Sequence, residues 1–228
     1  MPLSFKAGAA IAGQQFDHAD FSHQEICDCT FTDCNFAATN FRATNLSGTS
    51  FQNCQFNTQN SEAPADFSQA KLREASFARC NLTVVDFIRI EGYALHFEDC
   101  MMQGVDLSKS DFRLPIGDSD LAELTIERCN LSFADLSDNY LVACTFNANR
   151  MLECKLDYCD LTNATLTENE MHNITAVGVA LKNADLRYSS INNLDPRIID
   201  LSGVTISPDQ IATLLDTLDI IVEDESAT

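Results

Sequence analysis

Ten cysteines are the residues with the most obvious chemistry in this 228-residue chain. Thiols at such a density could form disulfides or hold a metal such as zinc. Their spacing favours neither, because nine of them occupy one position of a five-residue period in which alanine, serine and threonine also occur. These nine are Cys29, Cys34, Cys54, Cys80, Cys100, Cys129, Cys144, Cys154 and Cys159, and Cys27 lies outside the pattern. We therefore predict buried structural thiols without a metal or cofactor, and a reducing, cytoplasmic compartment.

The other groups that could catalyse a reaction show no useful arrangement. The histidines, at positions 18, 23, 96 and 172, are scattered and have no nucleophile or metal ligand at a helpful spacing. No glycine-rich loop of the phosphate-binding type is present, and no pair of carboxylates stands out as an acid and a base. The sequence is therefore predicted not to be an enzyme.

The period itself is clearest between Cys129 and Leu166, where every fifth residue is large and apolar. These central residues are Leu131, Leu136, Leu141, Phe146, Met151, Leu156, Leu161 and Leu166. Five helical steps of about 100° would spread them around a helix, and five strand steps would place successive ones on opposite faces. The pattern works only if the backbone turns a corner once per repeat, so that every central residue points to one axis. This indicates a solenoid of stacked coils.

The same frame runs through most of the chain, as Phe16–Phe56, Phe67–Phe112 and Leu121–Ile191, and predicts one β-solenoid over residues 1–206 capped by its first residues. Gly92 is the one central residue that is not apolar, and we assign it no function. Two polar segments interrupt the frame, 57–65 with Pro64 and 113–120 with Pro115. Both are predicted to be loops, where binding surfaces usually lie. The alternative is that they are inert defects of the repeat.

The period changes at the C-terminus. Ser207, Pro208 and Gln210 form a helix-start signal, with a capping residue, a proline at the first helical position and a capping-box glutamine. A helix and a short strand are predicted within 207–228. Their apolar residues, expected to be buried between two chains, are Ile211, Leu214, Leu215 and Leu218 on the helix and Ile220, Ile221 and Val222 on the strand. A lid on the last coil is the alternative, but seven large apolar residues exceed what one coil end needs, so self-association is favoured.

The net charge of −20 limits the partners. Nucleic acid is disfavoured as a direct ligand, because phosphates require a basic surface, whereas a basic protein surface would be attracted. The alternative is that the charge only keeps a long solenoid soluble. No run of 18 apolar residues occurs, so no membrane span is expected.

The A(D/N)LXX repeat resembles that of the pentapeptide repeat family, whose fold is a right-handed quadrilateral β-helix with four repeats per coil. Within that family the chain is similar to the Qnr quinolone-resistance group. The likeness covers the first interruption with its flanks, CQFNTQNSEAPADFSQA, and the second interruption followed by CNLSFADL. It also covers the ending LDPRIIDLSGVTI, the helix after it and IIV.

This resemblance implies a homodimer joined at its C-terminal ends. It implies that the protein binds DNA gyrase and topoisomerase IV as an acidic mimic of duplex DNA and protects them from fluoroquinolones. The two loops would carry the protective contacts. The corresponding residues here are Asn60, Ser61 and Glu62 in the first loop, and Arg113, Leu114, Ile116, Asp118 and Asp120 in the second. The alternative function is an acidic scaffold or an immunity protein against another toxin or partner, without a role at topoisomerases.

Overall fold

The chain forms a solenoid whose coils are joined in one parallel sheet. The computed structural model describes residues 5–58, 63–114, 120–192 and 194–221. The strands are β1 (Ala10–Ala12), β2 (Thr30–Thr32), β3 (Ser50–Gln52), β4 (Ser76–Ala78), β5 (Leu95–Glu98), β6 (Leu124–Glu127), β7 (Thr145–Asn147) and β8 (Thr165–Thr167), and they pair in this order. Thr30 pairs with Ser50 and Thr145 with Thr165, so one regular coil takes four repeats. The predicted right-handed quadrilateral β-helix is confirmed.

Each coil has four walls, which we number in chain order by the central residues of one coil: Phe77, Leu82, Phe87 and Gly92. The strands form the first wall, and isolated parallel bridges join the coils on the other three. Every coil turns from one wall to the next at the second residue after each central one. That residue has a positive φ at nearly every corner, for example 54° at Val84 and 58° at Asn163. The period of five is therefore one short wall plus one corner.

The corner geometry explains the polar residue that precedes most central ones. Asp86 accepts a hydrogen bond from the Ile88 N–H at 2.8 Å, and Asp160 accepts one from the Thr162 N–H at 3.0 Å. Aspartate and asparagine both suit this turn because their short side chains reach the backbone two residues on. An aspartate at this position has a local structural role, whatever else its charge does.

Central residues fill the axis of the solenoid with stacked side chains. On the first wall the rings of Phe31, Phe51, Phe77 and Phe97 stack with centroids 4.8–5.3 Å apart. Phe5 packs at 5.3 Å from Phe31 and 5.8 Å from Phe16, so the N-terminal segment covers the first coil as predicted. Stacked and edge-on rings at these distances add favourable contacts beyond the burial of their surface.

The frame fails at Leu121, which the sequence places among the central residues. Leu121 is 66% exposed, because its carbonyl accepts a hydrogen bond from the Leu114 N–H at 2.7 Å in the returning limb of the second loop. The central residue after Phe112 is Ile126. At Gly92, a side chain would meet the Phe112 ring and Leu95 at 3.1 Å, so these two neighbours fill the space of the missing side chain.

The solenoid ends in a 3-10 turn, Pro208–Gln210, that continues into helix α1, Ile211–Thr217. The Ser207 N–H donates to Gln210 Oε1 at 2.6 Å, which confirms the predicted helix start. The Gln210 side-chain amide donates to the Leu186 carbonyl at 2.8 Å and to that of Ser189 at 2.6 Å. Ile220 and Ile221 are not in a strand, so the predicted strand is wrong at both, and Val222 lies outside the described residues.

Candidate partner-binding surfaces

The first loop leaves the corner between the second and third walls. It starts after Phe56, and the Ala65 N–H closes its base on the Phe56 carbonyl at 2.8 Å. Ser50 pairs with Ser76, which lies six positions beyond the regular four repeats, so the loop lengthens this coil. The predicted contact residues Asn60, Ser61 and Glu62 lie outside the described residues.

The second loop leaves the opposite corner, between the fourth and first walls. Arg113 and Ala122 form an antiparallel bridge, and the Glu123 N–H donates to the Phe112 carbonyl at 3.1 Å. The loop therefore extends to Glu123, and the predicted end at residue 120 is too early. Leu95 pairs with Leu124, nine positions beyond the regular four repeats, so this coil is lengthened further than the first.

Side chains from the wall hold the base of the second loop. Arg113 forms an ion pair with Asp111, with Nε 2.8 Å from Oδ1, and its guanidinium lies over the Tyr140 ring at 5.8 Å. The Tyr140 hydroxyl donates to the Asp120 carbonyl at 3.1 Å. Leu114 also lies at this base, in the bridge to the returning limb. The remaining predicted contacts, Ile116 and Asp118, lie outside the described residues.

Acidic residues on three walls have basic partners. On the first wall, Arg128 forms ion pairs with Glu98 and Asp99. On the fourth wall, Arg73 pairs with Glu91, and Arg113 pairs with Asp111. Arg150 lies 3.7 Å from Glu170 on the second wall. These pairs neutralise part of the charge on the walls where they lie.

The third wall carries acids without such partners. Asp66, Asp86, Asp106 and Asp135 bridge one to the next in successive coils, and this ladder ends where Lys155 lies 3.0 Å from Asp135. Among the residues that the structure describes, no basic group forms an ion pair with the Asp66, Asp86 or Asp106 carboxylates. Burial, followed by the neighbouring carboxylates, raises the pKa of Asp86 above its usual value. Sequence analysis missed this surface, although each aspartate precedes a central residue of the same wall.

The cysteines are all free and nine are buried. Five of them stack in successive coils at the corner before the second wall, a column that Asn149, Asn169 and Ser189 continue. They are Cys34, Cys54, Cys80, Cys100 and Cys129. The Cys100 N–H donates to the Cys129 sulfur at 3.3 Å. Burial raises the pKa of Cys144 and of Cys159 to about 12 each. Their thiols are therefore protonated and unreactive at neutral pH.

The apolar residues predicted to form the dimer interface lie in two environments, some against the core and some exposed to solvent. Leu214 packs partly buried against the core, as a lid would, and Leu215 is half-buried. Ile211 is 50% and Leu218 37% exposed, and Ile220 and Ile221 after the helix are also exposed. These exposed residues form an apolar end surface that the described part of the chain does not cover.

Comparisons with known proteins agree with this architecture. The family described as Pentapeptide repeats matches residues 15–53, 65–89 and 129–167 in eight copies. A trypsin-treated variant of QnrB1, described as a plasmid-mediated fluoroquinolone resistance protein, is 29% identical with a TM-score of 0.76. The match covers 96% of this chain and 100% of that one. Full-length QnrB1 is 28% identical with a TM-score of 0.73, over 93% and 98% of the two chains.

No curated protein matches the chain. In the described ranges, no helix is both long enough and apolar enough to cross a bilayer. The same fold is supported by the repeat matches, the coil geometry and the full-length structural likeness. The chain has the pentapeptide-repeat fold and is similar along nearly its whole length to the fluoroquinolone resistance protein QnrB1.

Proposed function

We propose that this protein binds the type II topoisomerases DNA gyrase and topoisomerase IV and protects them from fluoroquinolones. The observation that carries the proposal is the likeness to QnrB1, which spans all of that chain and nearly all of this one. The likeness covers 96% of this chain, so it extends beyond residues 15–53, 65–89 and 129–167, which match the repeat family. A repeat alone would support only the fold.

The charge distribution supports an acidic mimic of DNA. The net charge is −20, and the third wall presents a ladder of aspartates at one per coil. Neighbouring coils lie about 4.8 Å apart, so this wall offers a regular row of negative charge to a basic DNA-binding surface. Binding through this wall would be sequence-independent and sensitive to salt.

The two loops would act on the drug-bound enzyme. Their bases lie at opposite corners, two coils apart, so a single partner would have to reach around the rod to contact both. We assign binding mainly to the acidic wall and drug protection to the loops. The protein would act without catalysis or a cofactor, as a homodimer joined through the exposed end of helix α1. Its ten free thiols favour the cytoplasm as its compartment.

A gyrase supercoiling assay with ciprofloxacin tests the proposal. Adding the intact protein should restore supercoiling at drug concentrations that inhibit gyrase alone. A variant that lacks 115–119 should still bind gyrase but fail to restore supercoiling. If the intact protein neither binds gyrase nor shifts the inhibitory drug concentration, the function is instead that of a scaffold or an immunity protein.

A further inference from the structure

Two bulky residues with a glycine between them occupy successive coils at the corner between the second and third walls. The Val84 N–H donates to the Gln103 carbonyl and the Gly104 N–H to that of Ser132, which stacks Val84, Gly104 and Phe133 in one column. Val84 is 49% and Phe133 59% exposed, with φ of 54° and 63°. Branched and bulky residues avoid this backbone region, and their exposure returns little packing energy. Such a column is better explained by contact with a partner.

Gly104 leaves a gap in this column of exposed side chains. A Cβ atom there would lie 3.0 Å from Val84 Cγ1, so a larger residue would crowd its neighbour. The glycine instead leaves space on the surface between the Val84 and Phe133 side chains. Neighbouring coils are about 4.8 Å apart, and Val84 and Phe133 lie two coils apart. The gap between their side chains at Gly104 is therefore wide enough for one flat side chain.

An aspartate follows each corner residue two positions later. Asp86, Asp106 and Asp135 bridge in successive coils, so an acidic column runs beside the apolar one. The first loop leaves the same corner one coil earlier and returns at Asp66, which makes the surface continuous with the loop. On the third wall of these coils the basic residues are Arg89 and Lys109, which lie at its opposite edge. Lys155 in the next coil pairs with Asp135, which leaves Asp86 and Asp106 as the carboxylates without an ion pair among the described residues.

We propose that this corner binds arginine side chains of a basic protein partner, with a guanidinium stacked on Phe133 and bonded to the Asp106 carboxylate. A guanidinium is planar and weakly hydrated, so it can stack on a ring and present parallel N–H donors to a carboxylate at the same time. A lysine ammonium would gain the charge attraction but less of the stacking. This deepens the proposed function by naming the chemistry of its partner, and it can be tested without gyrase.

Nona-arginine and nona-lysine peptides are the probes, measured by calorimetry at low salt. The intact protein should bind nona-arginine about two- to fivefold more tightly, as expected for an exposed cation–aromatic contact. Phe133→Asn should abolish this preference. Tyr158→Asn is the matched control, because Tyr158 is 63% exposed with φ of 58° at the other edge of the third wall. Both variants should fold, since asparagine occupies the equivalent position at another corner, at Asn163, with φ of 58°.

A second pair of variants tests the carboxylate. Asp106→Asn should reduce the preference for arginine, whereas Asp160→Asn, with the same turn role and the same charge change on the fourth wall, should not. Equal affinity of the intact protein for the two peptides would overturn the proposal. Equal effects of Phe133→Asn and Tyr158→Asn would also overturn it.

The same variants separate this inference from the proposed function. If the intact protein prefers nona-arginine but does not bind gyrase, the topoisomerase role fails and the arginine site stands. If it binds gyrase and Phe133→Asn binds equally well and shows no loss of arginine preference, the arginine site fails and the topoisomerase role stands.

Discussion

Many of the residues two places before a central one do more than fill space. Thr44 Oγ1 donates to the Phe21 carbonyl at 2.8 Å, and Asn149 Nδ2 donates to that of Ile126 at the same distance. These carbonyls belong to central residues of the preceding coil. The small inward side chains therefore satisfy buried backbone acceptors that would otherwise cost free energy. This explains why threonine, serine, cysteine and asparagine share the position.

Asn149 is the sharpest test of that role, because its Oδ1 also accepts the Cys129 N–H at 2.8 Å. Asn149→Ala should lower the free energy of unfolding by about 2–4 kcal/mol, since it leaves a buried donor and a buried acceptor without partners. Arg150→Ala, at the next and exposed position, should change it by less than about 1 kcal/mol. Urea unfolding followed by circular dichroism measures both. Equal effects would mean that the hydrogen bonds of Asn149 add nothing to its packing.

Asp86 is the residue at which stability and the proposed binding oppose each other. Its folded-state pKa is raised, so ionisation disfavours the folded state, and this cost is absent below the unfolded value near 3.8 and full above the folded-state pKa. Asp86→Asn keeps an acceptor for the Ile88 N–H. It should therefore raise stability at pH 7 by up to about 1 kcal/mol, reduced by solvent screening, and the gain should vanish towards pH 3.8.

Asp185→Asn is the opposite control for this pH dependence. Hydrogen bonds from Arg187 lower the pKa of Asp185, so its ionised form contributes stability above the unfolded value. That contribution is lost as the pH falls through the lowered folded-state pKa. Asp185→Asn should therefore be less stable than the unchanged chain at pH 7. Thermal unfolding across pH 3–8 compares the two variants, and a gain from both would contradict the assigned causes.

At the scale of elements, the period of five was sufficient to predict the coils and the inward residues, and the capping signature after it predicted the helix start at Ser207. It failed at Leu121 because a leucine of suitable type and spacing lies in a hairpin-like limb, and only strand pairing distinguishes the two. The acidic wall could not be located either. Asp66, Asp86 and Asp106 lie 20 residues apart and share a wall once a coil is known to take four repeats, which the period of five alone does not give. Adding Asp135 to this wall also requires knowing how far the second loop lengthens its coil. Periodicity carries no information about which corners a loop occupies.

Helix α1 makes the predicted dimer testable without removing the lid. Ile211→Glu combined with Leu218→Glu places charges on the exposed apolar end but leaves Leu214 on the core. Light scattering at micromolar concentration should show a dimer for the unchanged chain and a monomer for this variant. Val177→Glu, at an exposed position on the coil wall, should remain dimeric. A monomeric unchanged chain would leave the lid as the sole role of the helix.

At the scale of the molecule, the rod is chemically different along its length and around its axis. Phenylalanine stacks fill the first half and mostly leucine and methionine the second. Arginine pairs neutralise acids on the first and fourth walls. On the third wall, Arg42 donates to Ser68, and no basic group of the described residues forms an ion pair with Asp66, Asp86 or Asp106. The net charge of −20 is therefore distributed unevenly around the rod, and we expect a basic partner to approach the third wall first.

Gln210 has a further consequence. The Ser189 hydroxyl donates to the Leu166 carbonyl, and Gln210 makes the matching bond to Leu186, one coil later. The helix start thus stands in for the next coil and stops the stack. Thr145 pairs with Thr165 at a shift of four whole repeats, so complete coils could be gained or lost before this stop while both ends stay intact. The length of the rod could then change by whole coils, in steps of about 4.8 Å.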